Sequence, residues 1–212
     1  MDLQTSNEIF HERYAVKKFN ADKSLTQEQV QIIKNAIKMS PTSYGLQPFE
    51  VIEITDSKIK KELQPMSWNQ NQIVDASHLY IFCAYNEFDK DYVADFVNKA
   101  ADIYGFGKDE AEGRTDFMWG VFKDQTREQR AEWARKQAYL VLGFTLAAAA
   151  AAHIDTCPME GFEPEKYSSY LNLKGQNLTP LAVLAAGVKS EDDKMNGAPK
   201  VRREEDEIIK TK

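Results

Sequence analysis

Two short basic clusters lie at opposite ends of the chain, and their residue types suit the binding of a compact anion. Arg13 and Lys17 form the first cluster, and Lys200 and Arg202 form the second. Arginine offers a planar fork that can bind two oxygens and lysine offers a point charge, so together they can position and orient a phosphate group. Because the formal net charge is -6, nonspecific attraction of anions is not the default behaviour of this chain. Each cluster taken alone also fits a solvated surface patch.

A polar loop at residues 40–48 joins a predicted helix to a predicted strand. Thr42, Ser43 and Gln47 supply hydroxyl and amide groups, while Gly45 and two prolines constrain the backbone. Such a loop can line a cavity that holds a heterocycle or its polyol arm. An ordinary polar turn has the same composition.

Two further segments could address a flat ring. Residues 68–72 read Trp-Asn-Gln-Asn-Gln, and their amide groups carry donors and acceptors together, as the edge of a pyrimidine-like ring requires. A capping or turn segment explains these residues equally well. In residues 157–162, Pro158 and Gly161 fix an unusual backbone path that can point amide N–H groups at a ligand.

The composition argues against several classes of function. With 27 basic and 33 acidic residues, the chain lacks the basic stripe expected of a nucleic-acid-binding face. Cys83 and Cys157 are far apart and predict buried thiols in a reducing compartment, and the three histidines lack the spacing of metal ligands. The chain has no Gly-x-Gly-x-x-Gly motif, P-loop or local signature of a nucleophilic triad. Any nicotinamide would therefore bind transiently.

Helical periodicity dominates the chain and alternates with short strand patterns. Helices are predicted over residues 7–14, 26–39, 92–104, 117–123, 126–153 and 164–171, and strands over residues 49–54, 79–84, 155–157 and 180–188. The acidic stretch 105–113 is predicted to be mobile, and the charged tail 203–212 to be extended. Strands separated by helices predict one α+β domain over residues 1–212, with a mixed sheet flanked by helices.

Residues 138–152 form an almost uninterrupted, alanine-rich apolar run in the longest predicted helix. The run is shorter than the ~20 residues that a bilayer core requires. A helix that is apolar on all sides is normally buried in protein, and small side chains permit close packing in a core or at a subunit interface. The N-terminus lacks the basic flank and apolar run of a signal peptide. Together these features predict a soluble, cytoplasmic protein with no membrane span.

Four motifs occur in an order and spacing that are specific to one family. They are the Arg13-to-Lys17 segment, Ser40-Pro41-Thr42-Ser43 with Gln47-Pro48, Asp75-Ala76-Ser77-His78 before a strand, and Pro158-Met159-Glu160-Gly161-Phe162 followed by Pro199-Lys200-Val201-Arg202. With these motifs the chain resembles the FMN-dependent nitroreductases, specifically the branch of oxygen-insensitive NAD(P)H nitroreductases and dihydropteridine reductases. The resemblance runs from about residue 7 to residue 203.

The resemblance implies a binding site for FMN that uses both basic clusters. Arg13, Lys200 and Arg202 would grip the phosphate. Lys17 would approach the pyrimidine edge of the flavin, where positive charge stabilises the anionic reduced form, and Asn69 would hydrogen-bond the same edge.

The resemblance assigns two other segments to the flavin ring. Thr42, Ser43 and Gln47 would belong to a loop near the ring and the ribityl chain, reached from the partner subunit. The opposite face of the ring would be covered by Pro158, Met159, Glu160 and Gly161. Within that segment the backbone amides of Glu160 and Gly161 would address N5 and O4. Because hydride transfer at flavin N5 needs no carboxylate, no side chain is expected to be catalytic.

Two departures from the family pattern fall within the implied site. Where the family usually has His-Ser or Arg-Ser after the first arginine, this chain has Tyr14 and Ala15, which removes a hydroxyl that often contacts the phosphate. Where a basic residue is common after Asn69, this chain has Gln72. The missing charge predicts a different flavin potential.

The resemblance also implies a homodimer with FMN at the subunit interface, to which the long helix and a C-terminal extension from about residue 203 would contribute. The reaction would be ping-pong: NAD(P)H passes a hydride to N5 and leaves, and a small-molecule acceptor then binds in the same place. Nitroaromatics, quinones or a pterin would be the acceptors. An apolar lid over this pocket is expected from Tyr44, Trp68, Phe117, Met118 and Trp119.

Two alternatives remain open from the sequence. A flavin-binding carrier or redox sensor would hold FMN without NAD(P)H-dependent turnover. A reductase on the same scaffold could instead serve a dedicated substrate, for example in reductive dehalogenation or enone reduction.

Overall fold

A four-stranded sheet organises the chain. The computed structural model describes residues 3–212, with side chains from residue 7 onward. The helices are α1 (Leu3–Glu12), α2 (Gln27–Met39), α3 (Ser57–Leu63), α4 (Gln72–Asp75), α5 (Lys90–Tyr104), α6 (Lys108–Gly120), α7 (Arg127–Ala151), α8 (Pro164–Tyr170) and α9 (Glu205–Ile208). The strands are β1 (Phe49–Ile54), β2 (His78–Tyr85), β3 (Asp155–Met159) and β4 (Leu178–Gly187).

The α+β class with helices on the sheet is confirmed, but the strands pair antiparallel rather than as a mixed sheet. Their order is β1-β2-β4-β3, and each neighbouring pair is antiparallel. The long helical connection from β2 to β3 fits a parallel crossover in sequence. In the fold β4 inserts between those two strands, so they run in the same direction without pairing.

The sheet separates two apolar clusters because side chains alternate between its faces. On one face Leu79 and Ile81 of β2 pack with Tyr167 of α8 and with the segment that follows α1. On the other face Tyr80 and Phe82 pack against α2 and α7. Both central strands are therefore buried on both faces, and the edge strands carry the exposed edges.

Helix α7 begins at a reciprocal cap. The Gln129 amide donates to the Thr126 hydroxyl at 3.2 Å, and the Thr126 amide donates to the Gln129 side chain at 2.8 Å. The alanine run predicts a helix that is buried on all sides, but the structure buries only part of its surface. One face, including Val141 and Ala149, lies in the core, and the opposite face leaves Phe144 exposed.

The acidic stretch 105–113, predicted to be mobile, is largely helical. Helix α5 ends at Gly105, whose φ of 76° is left-handed, and α6 begins three residues later. The second helix is fixed because Ala111 is buried in a cluster that also contains Phe88 and Phe122. The Arg114 guanidinium also lies over the Phe106 ring, 4.5 Å from its centroid. Polar composition concealed these few anchoring contacts.

The C-terminal tail, predicted to be extended, contains the short helix α9. All residues from 201 to 212 are exposed in this chain. Among the helices of residues 3–212, none has both the length and the apolar character needed to cross a membrane.

Candidate functional site

The outer edge of β3 brings the first basic cluster to the sheet. Ala15 forms a parallel bridge to Thr156, and the Val16 amide donates to the Thr156 carbonyl at 3.0 Å. The segment from Arg13 to Lys17 must therefore run beside β3. Residues 13–17 and the segment that begins in β3, which sequence motifs assign to one ligand, therefore lie side by side.

The end of β3 continues along the same outer edge. Backbone polar groups alternate between the two edges of a strand, and Thr156 uses the outer edge to accept from Val16. Pro158 has no N–H to give there, which suits an edge strand. Glu160 lies just past the last strand residue, Met159, and beyond the bridge. If the alternation continued by one residue, its amide would face the outer edge.

Arg13 lies half-buried on a cleft of about 290 Å³ between α1, the end of α7 and β3. Thr156 also lines this cleft, and its buried hydroxyl has no hydrogen-bond partner in the part of the chain that the structure describes. Asp155 and the exposed Glu12 bring negative charge to the cleft, and Lys189 pairs with Asp155 at 3.6 Å. A buried hydroxyl without a partner is costly, and a ligand oxygen would satisfy it.

The second basic cluster reaches this region in part. The Lys200 ammonium donates to the carbonyl of His11, two residues before Arg13. Arg202 remains exposed, and its guanidinium donates only to the Val201 carbonyl among the described residues. The structure thus brings Lys200, but not Arg202, to the end of α1.

Gln72 lies beneath the site rather than facing out of it. It is buried, and its side chain acts to lower the pKa of the Cys157 thiol. Burial raises the pKa of Cys157, and the positive charge of Lys17 acts in the opposite direction. Lys17 is therefore close to β3, although its own side chain is exposed.

The loop at residues 68–72 closes over the end of β3. Trp68 and Asn69 both have left-handed backbone conformations, with φ of 53° and 55°. The Gln70 side chain donates to the Gly161 carbonyl at 2.7 Å. A Cβ atom at Gly161 would come within 3.0 Å of the Trp68 ring and 2.8 Å of the Gln70 amide nitrogen, so glycine permits this contact. Asn69 and the ring of Trp68, which is 68% exposed, are consequently placed beside residues 158–161.

In the folded chain the loop at residues 42–47 lies away from the end of β3. The Ser43 amide donates to Gln137 of α7 at 2.9 Å, and Gln47 donates from its side chain to the Lys38 carbonyl at 2.9 Å. The Thr42 hydroxyl accepts from the Gln47 amide at 3.2 Å. Within residues 3–212, no hydrogen bond or ring contact joins this loop to residues 13–17 or 158–161.

The expected lid residues divide into two groups. Tyr44 packs edge-on against Phe122, with ring centroids 6.1 Å apart. Met118 and Trp119 pack against the cluster that contains Phe122, while Phe117 is exposed. Trp68 stands apart from them, beside the end of β3.

One residue of the site, Tyr139 of α7, carries no sequence motif. Its hydroxyl donates to the Glu160 carboxylate at 2.6 Å and lies 3.3 Å from the Leu181 carbonyl. Burial, together with the hydrogen bond and the negative charge of Glu160, raises the pKa of Tyr139 to about 12. The Glu160 carboxylate is therefore held by α7. Only the spacing of Tyr139 on the exposed face of the predicted helix could have indicated it.

The charged groups of this region suit an organic anion rather than a metal ion. In the described part of the chain, no group of three or more histidine, cysteine, aspartate or glutamate side chains could hold a metal ion. What the region offers is cationic side chains, backbone amides, an unpaired hydroxyl and an exposed indole ring.

Comparisons with known proteins agree with this geometry. The model of the nitroreductase family matches residues 11–188. The oxygen-insensitive NAD(P)H nitroreductase of Salmonella typhimurium is 31% identical over 90% of this chain and 92% of its own length. A solved structure from Bacillus subtilis, assigned as a nitroreductase, has a TM-score of 0.89 at 18% identity, with 100% of both chains covered. Another, from Exiguobacterium sibiricum and in complex with FMN, has a TM-score of 0.81 at 20% identity and covers 100% of this chain and 98% of its own.

Replacing Glu160 with glutamine is expected to lower the pKa of Tyr139 from about 12 toward the ordinary value of ~10. The substitution removes the negative charge that disfavours the phenolate. A carbon-13 NMR titration of the labelled Tyr139 ring in both proteins measures this change. Because the pKa is raised on folding, the contact stabilises the chain below pH ~10 and is lost as the pH rises through about 12. Identical titration midpoints in the two proteins would contradict the Tyr139–Glu160 pair.

Proposed function

The chain belongs to the nitroreductase family, and we propose that it is an FMN-dependent NAD(P)H oxidoreductase that reduces small-molecule acceptors. The observation that carries this proposal is the convergence of three segments at the outer edge of β3. Residues 13–17 run beside the strand, residues 68–72 cover its end, and Glu160 follows directly after it. The Salmonella relative, named as an NAD(P)H nitroreductase, and the FMN-containing neighbour support the same reading.

The residues present fit FMN at both ends of the cofactor. The cleft beside Arg13 offers a guanidinium and the unpaired Thr156 hydroxyl, which together suit phosphate oxygens. Lys200 lies close enough to join them, and Arg202 would do so after a movement of the exposed tail. Asn69, Lys17 and the Glu160 and Gly161 amides are the groups available for the edge of the ring system.

When bound, FMN supplies the hydride chemistry, and the protein supplies position and electrostatics. Lys17 places positive charge where a reduced flavin would be anionic. Tyr139 keeps the Glu160 carboxylate on α7, so that the amide and not the carboxylate faces the site. The exposed Trp68 ring provides an apolar surface on which a nicotinamide or an aromatic acceptor could stack. Nitroaromatics, quinones and pterins share the flat ring that this surface would accept.

An exposed apolar face on α7 supports a homodimer. On α7 an exposed face contains Leu140 and Phe144, which are 48% and 43% exposed, with Gly143 and Ala147 between and beyond them. An apolar face of this kind is usually covered in an assembly. The loop at residues 42–47 lies away from the site in its own chain. A second copy packed on α7 would let this loop complete the site of its partner, and the exposed tail from about residue 203 could reach across.

The proposed function predicts a yellow protein, or one that takes up FMN, whose flavin absorbance is bleached by NADH or NADPH within seconds under anaerobic mixing. Arg13→Ala should weaken FMN binding by roughly one to two orders of magnitude, because a charge-assisted contact with the phosphate is lost. Arg127→Ala, at an exposed arginine that pairs with Glu87 outside the site, is the control and should bind FMN normally.

Two results of this experiment would contradict the proposal. Flavin that is retained but never bleached by either nicotinamide would indicate a carrier or sensor. Equal FMN affinity in the Arg13→Ala and Arg127→Ala proteins would show that the phosphate lies elsewhere.

The proposed dimer predicts that Leu140→Glu with Phe144→Glu yields a folded monomer that no longer retains FMN. Both side chains are exposed in the single chain, so the core is left intact while the apolar face becomes charged. Sedimentation with absorbance followed at the protein and flavin bands measures both properties. Ile103→Glu with Tyr104→Glu, at residues that are equally apolar and more exposed on α5, is the control. A double variant of α7 that stays dimeric, or a monomer with a full complement of FMN, would rule out the shared site.

A further inference from the structure

A buried carboxylate in the loop after β4 connects the two basic clusters. Asp193 is 5% exposed. One of its oxygens, Oδ2, accepts from the Lys17 amide at 2.9 Å, from the Lys18 amide at 3.3 Å and from the Tyr14 hydroxyl at 3.2 Å. The other oxygen, Oδ1, accepts from the Met195 amide at 3.0 Å. All four donors therefore converge on a single side chain.

This geometry fixes the direction of two adjacent lysines. Because one oxygen accepts from consecutive amides, the backbone at Lys17 and Lys18 cannot rotate without breaking a charge-assisted hydrogen bond. The Lys18 ammonium pairs with Asp192 at 3.0 Å, on the solvent side. Lys17 instead directly follows Val16, which is bonded to Thr156 of β3, and its positive charge acts to lower the pKa of the Cys157 thiol. By holding both backbone amides, the Asp193 carboxylate places Lys18 toward solvent and Lys17 beside the edge of the sheet.

The same side chain organises the approach to the second basic cluster. Its bond to the Met195 amide closes a turn that continues with Asn196 donating to the Asp193 carbonyl at 3.0 Å. Ala198 then donates to the Met195 carbonyl at 3.1 Å, two residues before Lys200. Burial alone would raise the pKa of Asp193, but the hydrogen bonds from Met195, Lys17, Lys18 and Tyr14 lower it below its ordinary value. The group is consequently ionised at neutral pH.

We propose that Asp193 is a positioning residue for the cofactor: it aims Lys17 at the flavin and so sets both the affinity for FMN and its reduction potential. This inference rests on the proposed function. Asp193 itself lies behind the segment that would contact the flavin. Its influence passes through the Lys17 backbone.

The sign of the change in potential separates positioning from simple electrostatics. Asp193→Asn removes a negative charge, which by itself would make the flavin easier to reduce and raise its midpoint potential. If Lys17 is no longer held in position, its positive charge moves away from the anionic reduced flavin, and the midpoint potential falls. Asparagine has only one acceptor oxygen, so if that oxygen faces the Lys17 and Lys18 amides, its NH₂ group opposes the Met195 amide. The remaining bonds also lose their charge assistance, so we expect the second effect to win.

The test compares wild-type protein with Asp193→Asn, Asp192→Asn, Lys17→Ala and the Asp193→Asn, Lys17→Ala double variant. Fluorescence titration gives the FMN dissociation constant, and anaerobic redox titration gives the midpoint potential. Asp193→Asn should raise the dissociation constant about tenfold and shift the potential to a more negative value. Asp192→Asn, which removes only an exposed ion pair, should match the wild type. The double variant should show the potential of Lys17→Ala, since Asp193 acts through that lysine.

Several outcomes would overturn the inference while leaving the proposed function in place. In each case the wild type binds FMN and reduces it. The inference fails if Asp193→Asn matches Asp192→Asn in both measurements, or if the midpoint potential of Asp193→Asn rises. It also fails if the shifts in potential of Asp193→Asn and Lys17→Ala add up in the double variant. A wild type that binds no FMN would contradict the proposed function as well. Circular dichroism establishes that each variant is folded. If Asp193→Asn does not fold, Tyr14→Phe decides the question. It removes one donor to the same oxygen, and a potential equal to that of the wild type would overturn the proposal.

Discussion

The pairing of the N-terminal segment with the outer edge of β3 is the constraint on which the candidate site depends. The Val16 amide donates to the Thr156 carbonyl, and this bond fixes the register of residues 13–17 against the strand. On its inner edge β3 is held by β4, which lies in the buried centre of the sheet. The buried centre of the sheet therefore fixes the position of the basic segment through β4 and β3. Glu160, at the end of the strand, falls just past the bridge for the same reason.

Helix α7 links this edge to the rest of the molecule. Its Tyr139 restrains Glu160, and its Gln137 holds the loop that contains Ser43. These two contacts leave the helix in different directions, so one chain separates elements that the family resemblance assigns to one ligand. The exposed apolar face of the same helix is the surface on which a second copy would reunite them. In this account, cofactor binding and subunit association are aspects of one arrangement.

Much of the fold could be predicted from the sequence, because apolar periodicity and caps mark its helices and strands directly. Thr26 and Thr126, for example, cap helices where the pattern places a helix start. Strand direction could not be predicted, since β4 inserts between β2 and β3 without any local signal. The helical part of the stretch 105–113 was missed because a few contacts, such as Arg114 over Phe106, outweigh a polar composition. Motifs indicated the segments of the site, but Tyr139 depends on a contact between distant residues.

Residues 13–18, 68–72 and 160–161 are proposed to form one flavin site. Hydrogen–deuterium exchange of the flavin-free protein, with and without added FMN, tests it most directly. Amides in all three segments should become protected together at a single FMN affinity. Amides around the separate cavity lined by Phe88, Tyr92 and Arg130 should not change. Protection confined to that cavity, or to one segment without the other two, would contradict the account.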